Sequence, residues 1–309
     1  MPENKTRSLL PVLGKAPELA GIKGWINSEP LKIEELKGKV VLIDFWTYSC
    51  INCIRTLPYL KAWHEKYKDQ GLVIIGVHTP EFEFEKDYTN VKSAVEKYGI
   101  KYAVAQDNDY ATWRAYKNSY WPRKYLIDKD GNIRYDHIGE GGYEETEKAI
   151  MELLQETNTA MQANKNLTYI SSDTELSRIG TPELYLGYDF ARAPLGNPEG
   201  FSPESIVNYK ETNITAPNII YLSGSWKNER DKIIAVNNSR LFLVYKAKDV
   251  NIVAGGAGVV EIFIDSVPAG VAVIDSQRLY NIISAPDYSP HLLEIRANPG
   301  FEIYTFTFG

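Results

Sequence analysis

The chain has 309 residues, 44% of them hydrophobic and 24% charged, an ordinary globular mix that excludes a mainly disordered chain. At about 150 residues per domain, that length predicts two domains. With 34 Lys+Arg against 40 Asp+Glu, the formal net charge is -6, which argues against a nucleic-acid binder, since those carry a concentrated basic face.

Met1 to Arg7 is charged, with no apolar segment behind it. No secretory signal is read there. The longest uncharged apolar run, Ile252 to Val260, has nine residues, against roughly 20 for a membrane helix. The expectation is therefore a cytosolic protein, or one whose export signal or membrane segment lies outside this sequence.

Lys39 to Trp46 is apolar and β-branched, and predicts a strand buried on both faces. Its one charged interior residue is Asp44. Cys53 to Lys68 then has Leu57, Leu60, Trp63, His64 and Tyr67 at spacings of three and four, a helical pattern in which Pro58 predicts a kink. Gly71 to His78 predicts a second buried strand, Asp87 to Tyr98 a helix, Tyr102 to Ala105 a short strand and Tyr110 to Tyr116 a helical turn or two. Lys124 to Asp128 and Ile133 to Ile138 predict a hairpin around Lys129 to Asn132. Tyr143 to Gln155 closes the region as an amphipathic helix. This order gives a mixed sheet with helices on both faces.

Beyond a polar stretch, Thr157 to Asn166, about nine short strands follow, separated by turn signals such as Asn197 to Gly200, Pro268 to Gly270 and Asn298 to Gly300. That pattern predicts an all-β sandwich, jelly-roll-like. The expected division is an α/β domain over 1–160, a linker over 161–170 and a β-sandwich over 171–309.

The chain has two cysteines, Cys50 and Cys53, too few for a disulfide scaffold. None of the four histidines sits at a paired ligand spacing, and a structural zinc would need two more clustered ligands. No metal or cofactor is expected. A C-x-x-C placed after a buried strand and opening a helix points instead to dithiol chemistry. The helix N-terminus favours a thiolate on Cys50, which attacks a disulfide, and Cys53, one turn in, resolves the mixed disulfide. Cys53 must lose a proton for that step, and Asp44 is the candidate base.

Asp44 to Cys53 resembles the active-site segment of thioredoxin. Leu36 to Val41 and Tyr125 to Asp128 resemble the TlpA-like and redoxin branch. Trp46 to Arg55 together with Gly76 to Phe82 is most similar to DipZ-type proteins, with Thr181 to Gly187 the clearest echo in the second half. That resemblance implies a thioredoxin-like domain followed by a carbohydrate-binding-module-like β-domain. It further implies a disulfide-containing protein substrate and an upstream thiol reductant, such as a membrane electron-transfer protein. A glycan on the β-domain and an extracytoplasmic setting, in periplasm or cell envelope, are also implied. It makes Pro122 the cis-proline beside the dithiol, with Trp121 before it on the substrate side. Trp46, Tyr48, Trp121 and Tyr120 are candidates to rim the thiols, and His78 and Glu81 to tune them. Two rivals stand beside thiol exchange. The spacing Thr47-x-x-Cys50 is that of a thiol peroxidase. Tyr185, Tyr188, Tyr221, Trp226, Tyr245 and Tyr288 would suit a glycan- or partner-binding protein with an accessory thiol domain.

Overall fold

The computed structural model describes residues 9–157, 166–171 and 174–309. The chain divides into two compact units, 1–171 and 172–309.

The first unit is built on one sheet. Its strands are β1 (Gly14–Lys15), β2 (Trp25–Ile26), β3 (Val40–Trp46), β4 (Leu72–His78), β5 (Ala103–Gln106), β6 (Arg123–Ile127) and β7 (Asn132–Ile138). Their order is β1-β7-β6-β3-β4-β5-β2. Central β3 runs parallel to β4 and antiparallel to β6. The edge strands β1 and β2 have two residues each, too short to leave a periodic signal in the sequence. The helices are α1 (Ile51–Tyr67), α2 (Tyr88–Lys97), α3 (Ala111–Ala115) and α4 (Tyr143–Thr157). α1 passes through Pro58 without ending there.

All seven residues of β3 are buried, as its apolar run predicts. Alternation along the strand sends Val41, Ile43 and Phe45 into a core with Ile75, Val77, Trp113 and Tyr125. Leu42, Asp44 and Trp46 therefore face the other side. Asp44 is thus held on a core-facing side of the sheet by hydrophobic neighbours, whatever its own cost of burial.

The second unit holds β8 (Leu184–Tyr185), β9 (Ile206–Tyr209), β10 (Ile220–Asn228), β11 (Ile233–Ala235), β12 (Ser239–Lys246), β13 (Asp249–Gly255), β14 (Gly258–Ile264), β15 (Val267–Ile274), β16 (Arg278–Ser284), β17 (Pro290–Ala297) and β18 (Glu302–Phe308). The path is β15-β14-β17-β12-β10-β11-β18-β13-β16, with β8 on β18 and β9 on β10. β10 serves both layers of the sandwich. Ile220 to Ser223 pair with β12, whereas Gly224 onward pairs with β9 and then β11. The switch falls at Gly224, whose φ is +89°. Trp226, Leu241, Ile252, Ile295 and Phe306 fill the shared core.

Two expectations for this unit are corrected. Pro268 to Gly270 lies inside β15, and the turn sits at Asp265 and Ser266, with φ of 51° and 68°. That is the two-residue geometry favoured between twisted strands, and Pro268 is tolerated because β15 ends the sheet. Of the six aromatics read as sugar-stacking candidates, Tyr188 alone is partly exposed. Tyr185, Tyr221, Trp226, Tyr245 and Tyr288 are buried, so their faces pack within the unit.

Candidate active site

Cys50 is the residue that caps α1. Its backbone is extended, and its Sγ accepts the N–H of Cys53 at 3.3 Å. The cap therefore brings the two cysteine residues together through the helix end itself. Both are unbridged. Cys50 keeps 9% of its surface and Cys53 only 1%, so the first thiol is the one within reach of a partner. Burial pushes the Cys53 thiol well above its ordinary pKa. The hydrogen bond and charge of Cys50 and, last, the charge of Asp44 add to this, against a backbone hydrogen bond at Thr47. Cys53 holds its proton unless a base takes it.

Asp44 lies on β3 opposite Lys124 of β6, in direct register. Both side chains are buried, and Lys124 Nζ stands 4.0 Å from Asp44 Oδ1. Burial raises the carboxyl to about 7, and the charge of Lys124 opposes the rise. Lys124 moves the other way: burial lowers it, while Asp44, Cys53 and Glu140 pull it back up. Both shifts say that desolvation outweighs attraction at this separation. The hydroxyl of Tyr102 is buried, and the charges of Asp44 and Cys53 add to the burial that pushes its pKa up. Gly76, the register partner of Asp44 on β4, makes room for two rings. A Cβ there would lie 2.9 Å from Trp46 Nε1 and 3.2 Å from Tyr102 Cε2.

The remaining predicted site residues divide. The Trp121–Pro122 bond is cis. Trp121 is half-buried and donates its indole N–H to Thr79 O at 3.1 Å, and Tyr120 is exposed. Gly139 N–H donates to Pro122 O at 2.8 Å, and Lys124 Nζ to Gly139 O at 3.5 Å. The Gly139–Gly142 loop thereby joins Pro122 to the buried pair. Trp46 and Tyr48 are both buried and pack on His78, edge-on and stacked. Both side chains lie in the interior, whereas the sequence reading has them rimming the thiols. His78 is buried, and burial lowers it to about 3, so it stays neutral and cannot tune a thiol by charge. Glu81 contributes its backbone N–H, which donates to Glu85.

Sequence reasoning missed Lys124 and Glu85. Lys124 carried a signal, since alternation puts it on the same face as buried Leu126. Glu85 carried none, in a run where Glu and Phe alternate from Glu81. The peroxidase reading needs a free hydroxyl at Thr47. That residue is fully buried, its Oγ1 3.3 Å from His78 Nε2. The hydroxyl is committed to the interior. Among the described residues, no cluster of three or more His, Cys, Asp or Glu could hold a metal ion, and no helix is long and apolar enough to cross a membrane.

Known proteins match along the same division. The model of the AhpC/TSA family matches residues 13–136, and that of the thioredoxin-like C-terminal domain matches 181–309. Protein DipZ of Mycobacterium bovis is 37% identical over 300 residues, which are 96% of this chain and 43% of that protein. The chain thus spans less than half the length of that relative. Thiol-disulfide oxidoreductase ResA of Bacillus thuringiensis is 33% identical over 122 residues, 40% of this chain and 68% of the relative. Thiol-disulfide oxidoreductase YkuV of Bacillus subtilis is 34% identical over 141 residues, 46% of this chain and 95% of the relative. At that identity over nearly the whole of YkuV, and with the dithiol at the mouth of α1, the chain belongs to the thioredoxin-like thiol-disulfide oxidoreductase family.

Proposed function

We propose that the chain is an enzyme that exchanges protein disulfides through Cys50 and Cys53. One observation carries the reading: Cys50 caps α1 with its sulfur on the N–H of buried Cys53, whose thiol feels the charge of the buried Asp44 carboxyl. Cys50 Sγ accepts the Cys53 N–H at the helix end, and it attacks as its thiolate. That thiolate attacks one sulfur of a substrate disulfide. The substrate S–S bond breaks, the other substrate sulfur leaves as a thiolate and takes a proton, and a mixed disulfide forms on Cys50. Asp44 accepts the proton of Cys53. The Cys53 thiolate attacks the Cys50 sulfur, and the second substrate sulfur leaves. The substrate gains two electrons and the Cys50–Cys53 pair loses them as a disulfide. An upstream thiol reductant restores the dithiol, and the same steps reversed oxidise a substrate.

Trp121 and Pro122 stand on the substrate side of this scheme, joined by the Gly139–Gly142 loop to the base. The second unit has neither cysteine and takes no step in the exchange. Its role in the proposal is to engage a partner, and the extracytoplasmic setting follows the DipZ-type resemblance. The test compares insulin reduction with peroxide consumption at equal protein. Insulin turnover that is lost in Cys50→Ser is the expected result. Peroxide consumption without insulin turnover would instead establish the peroxidase reading.

A further inference from the structure

Among the described buried carboxyls of the first unit that take no part in these steps, Glu85 is the one hydrogen-bonded to the residue before Cys50. Glu85 lies in the single helical turn Glu83–Lys86 after β4 and is fully buried. Its Oε1 accepts the Ser49 hydroxyl at 2.5 Å. Its Oε2 accepts the N–H of Glu81 at 2.5 Å and that of Phe82 at 3.0 Å. The Thr47 hydroxyl also acts to lower the pKa of the same carboxyl. An ionised carboxyl has about four acceptor sites and no donor, and here one hydroxyl and two N–H groups donate to it. Burial pushes the group above the usual carboxylate range, and Ser49, Thr47, Phe82 and Glu81 pull it back.

The position of the donors matters more than their number. Thr47 and Ser49 are both buried and both belong to the link between β3 and α1. Ser49 is bonded to Cys50, whose own N–H donates to Thr47 O at 3.4 Å. The link is therefore folded over one buried carboxyl that reaches it from a different loop. Hydrogen bonds to an ionised group are about twice as strong as neutral ones and more demanding in geometry.

We propose that Glu85 is a positioning residue that locks the Thr47–Ser49 link, so that Cys50 Sγ stays on the end of α1 and its reactivity is set from behind. The inference rests on the reading of Cys50 as the attacking thiol. Glu85 touches no substrate; it acts through Ser49 and Thr47. Gln in its place keeps one acceptor oxygen, so its amide either faces the Glu81 and Phe82 N–H groups, which can only donate, or faces Ser49 and reverses that hydrogen bond.

The experiment measures alkylation of Cys50 by iodoacetamide against pH, read by peptide mass spectrometry, in the full chain and in Glu85→Gln, Ser49→Ala and the double variant. For Glu85→Gln the rate at pH 7 falls about three- to tenfold, and the half-maximal point of the profile moves upward. Ser49→Ala gives a smaller change in the same direction, and the double variant adds little to Glu85→Gln because both remove the same contact. An unmoved or downward-moved profile in a variant that keeps its circular dichroism overturns the proposal. If Glu85→Gln does not fold, the profile of Ser49→Ala decides by the same criterion. Insulin reduction by the unaltered chain separates the two readings. A moved profile without turnover refutes disulfide exchange and leaves the role of Glu85 standing, whereas turnover with an unmoved profile overturns Glu85 alone.

Discussion

Asp44 and Lys124 illustrate what can and cannot be read at the scale of single residues. Asp44 stands out in the sequence as the one charge inside an apolar strand feeding a C-x-x-C. Lys124 reaches it only through antiparallel pairing of β3 with β6, and pairing between distant segments leaves no mark in local spacing. The pair changes what substitution does. Taken alone, Asp44→Asn looks like removal of a costly buried group, but it also leaves Lys124 buried without its counter-charge. The pH dependence separates the effects. The folded carboxyl sits at about 7, above the roughly 3.9 of an unfolded chain. The folded state thus holds that proton longer, and stability attributable to Asp44 falls as pH rises from about 4 through 7. Urea midpoints at pH 5 and pH 8 should show a fall in the unaltered chain, on the order of 2 kcal/mol from this group, that Asp44→Asn lacks. Lys124→Met should act on the chemistry. Without the lysine charge the Asp44 carboxyl rises further, so the pH profile of mixed-disulfide resolution moves to higher pH. A profile in the same place with and without Lys124 would mean that Asp44 is not the proton acceptor.

At the scale of elements, long periodic segments were legible and special backbone positions were not. β3, β4, α1 and the β6–β7 hairpin follow from apolar runs and turn residues that any core would demand. β10 was legible only over its first residues, because it changes partners in mid-strand and its pattern changes with them. Gly224 marks the place. Its φ of +89° suits glycine, and a Cβ would stand 2.6 Å from Ser239 Oγ and 3.0 Å from its backbone. Gly224→Ala should cost about 2–3 kcal/mol in the unfolding of the second unit, from backbone strain and that close approach. Urea unfolding followed by circular dichroism checks this, with the change confined to the β-rich unit. An unchanged midpoint would mean that β10 can cross between layers without a positive φ.

For the whole molecule, composition and the change of pattern announced two units, while the end of the first is held by contacts that no composition reveals. The boundary expected at the polar stretch falls partly on residues outside those described, Gln162 among them. Residues 166–171 pack on the first unit. Thr168 donates its N–H and its hydroxyl to buried Glu147 at 2.6 and 2.9 Å, and Tyr59 donates to Ile170 O at 2.9 Å. Burial alone would raise the Glu147 carboxyl, but Lys66, Thr168 and Tyr67 together hold it below its ordinary value. A chain cut after Gln162 loses the two Thr168 donors and leaves that carboxyl to Lys66 and Tyr67. A fragment ending at Ser171 should therefore be more stable than one ending at Gln162, by about 1–3 kcal/mol. Both should reduce insulin if the first unit carries the chemistry, and equal melting of the two would mean that the 166–171 segment adds nothing.

The division of labour between the two thiols is tested most directly by trapping. Reduced Cys53→Ser is mixed with a disulfide-bonded peptide, quenched in acid, digested and read by mass spectrometry. The expected result is a stable peptide adduct on Cys50, with no adduct formed by Cys50→Ser under the same conditions. An adduct on Cys53 in the Cys50→Ser chain, with none on Cys50 in the Cys53→Ser chain, would contradict the assignment of Cys50 as the attacking thiol.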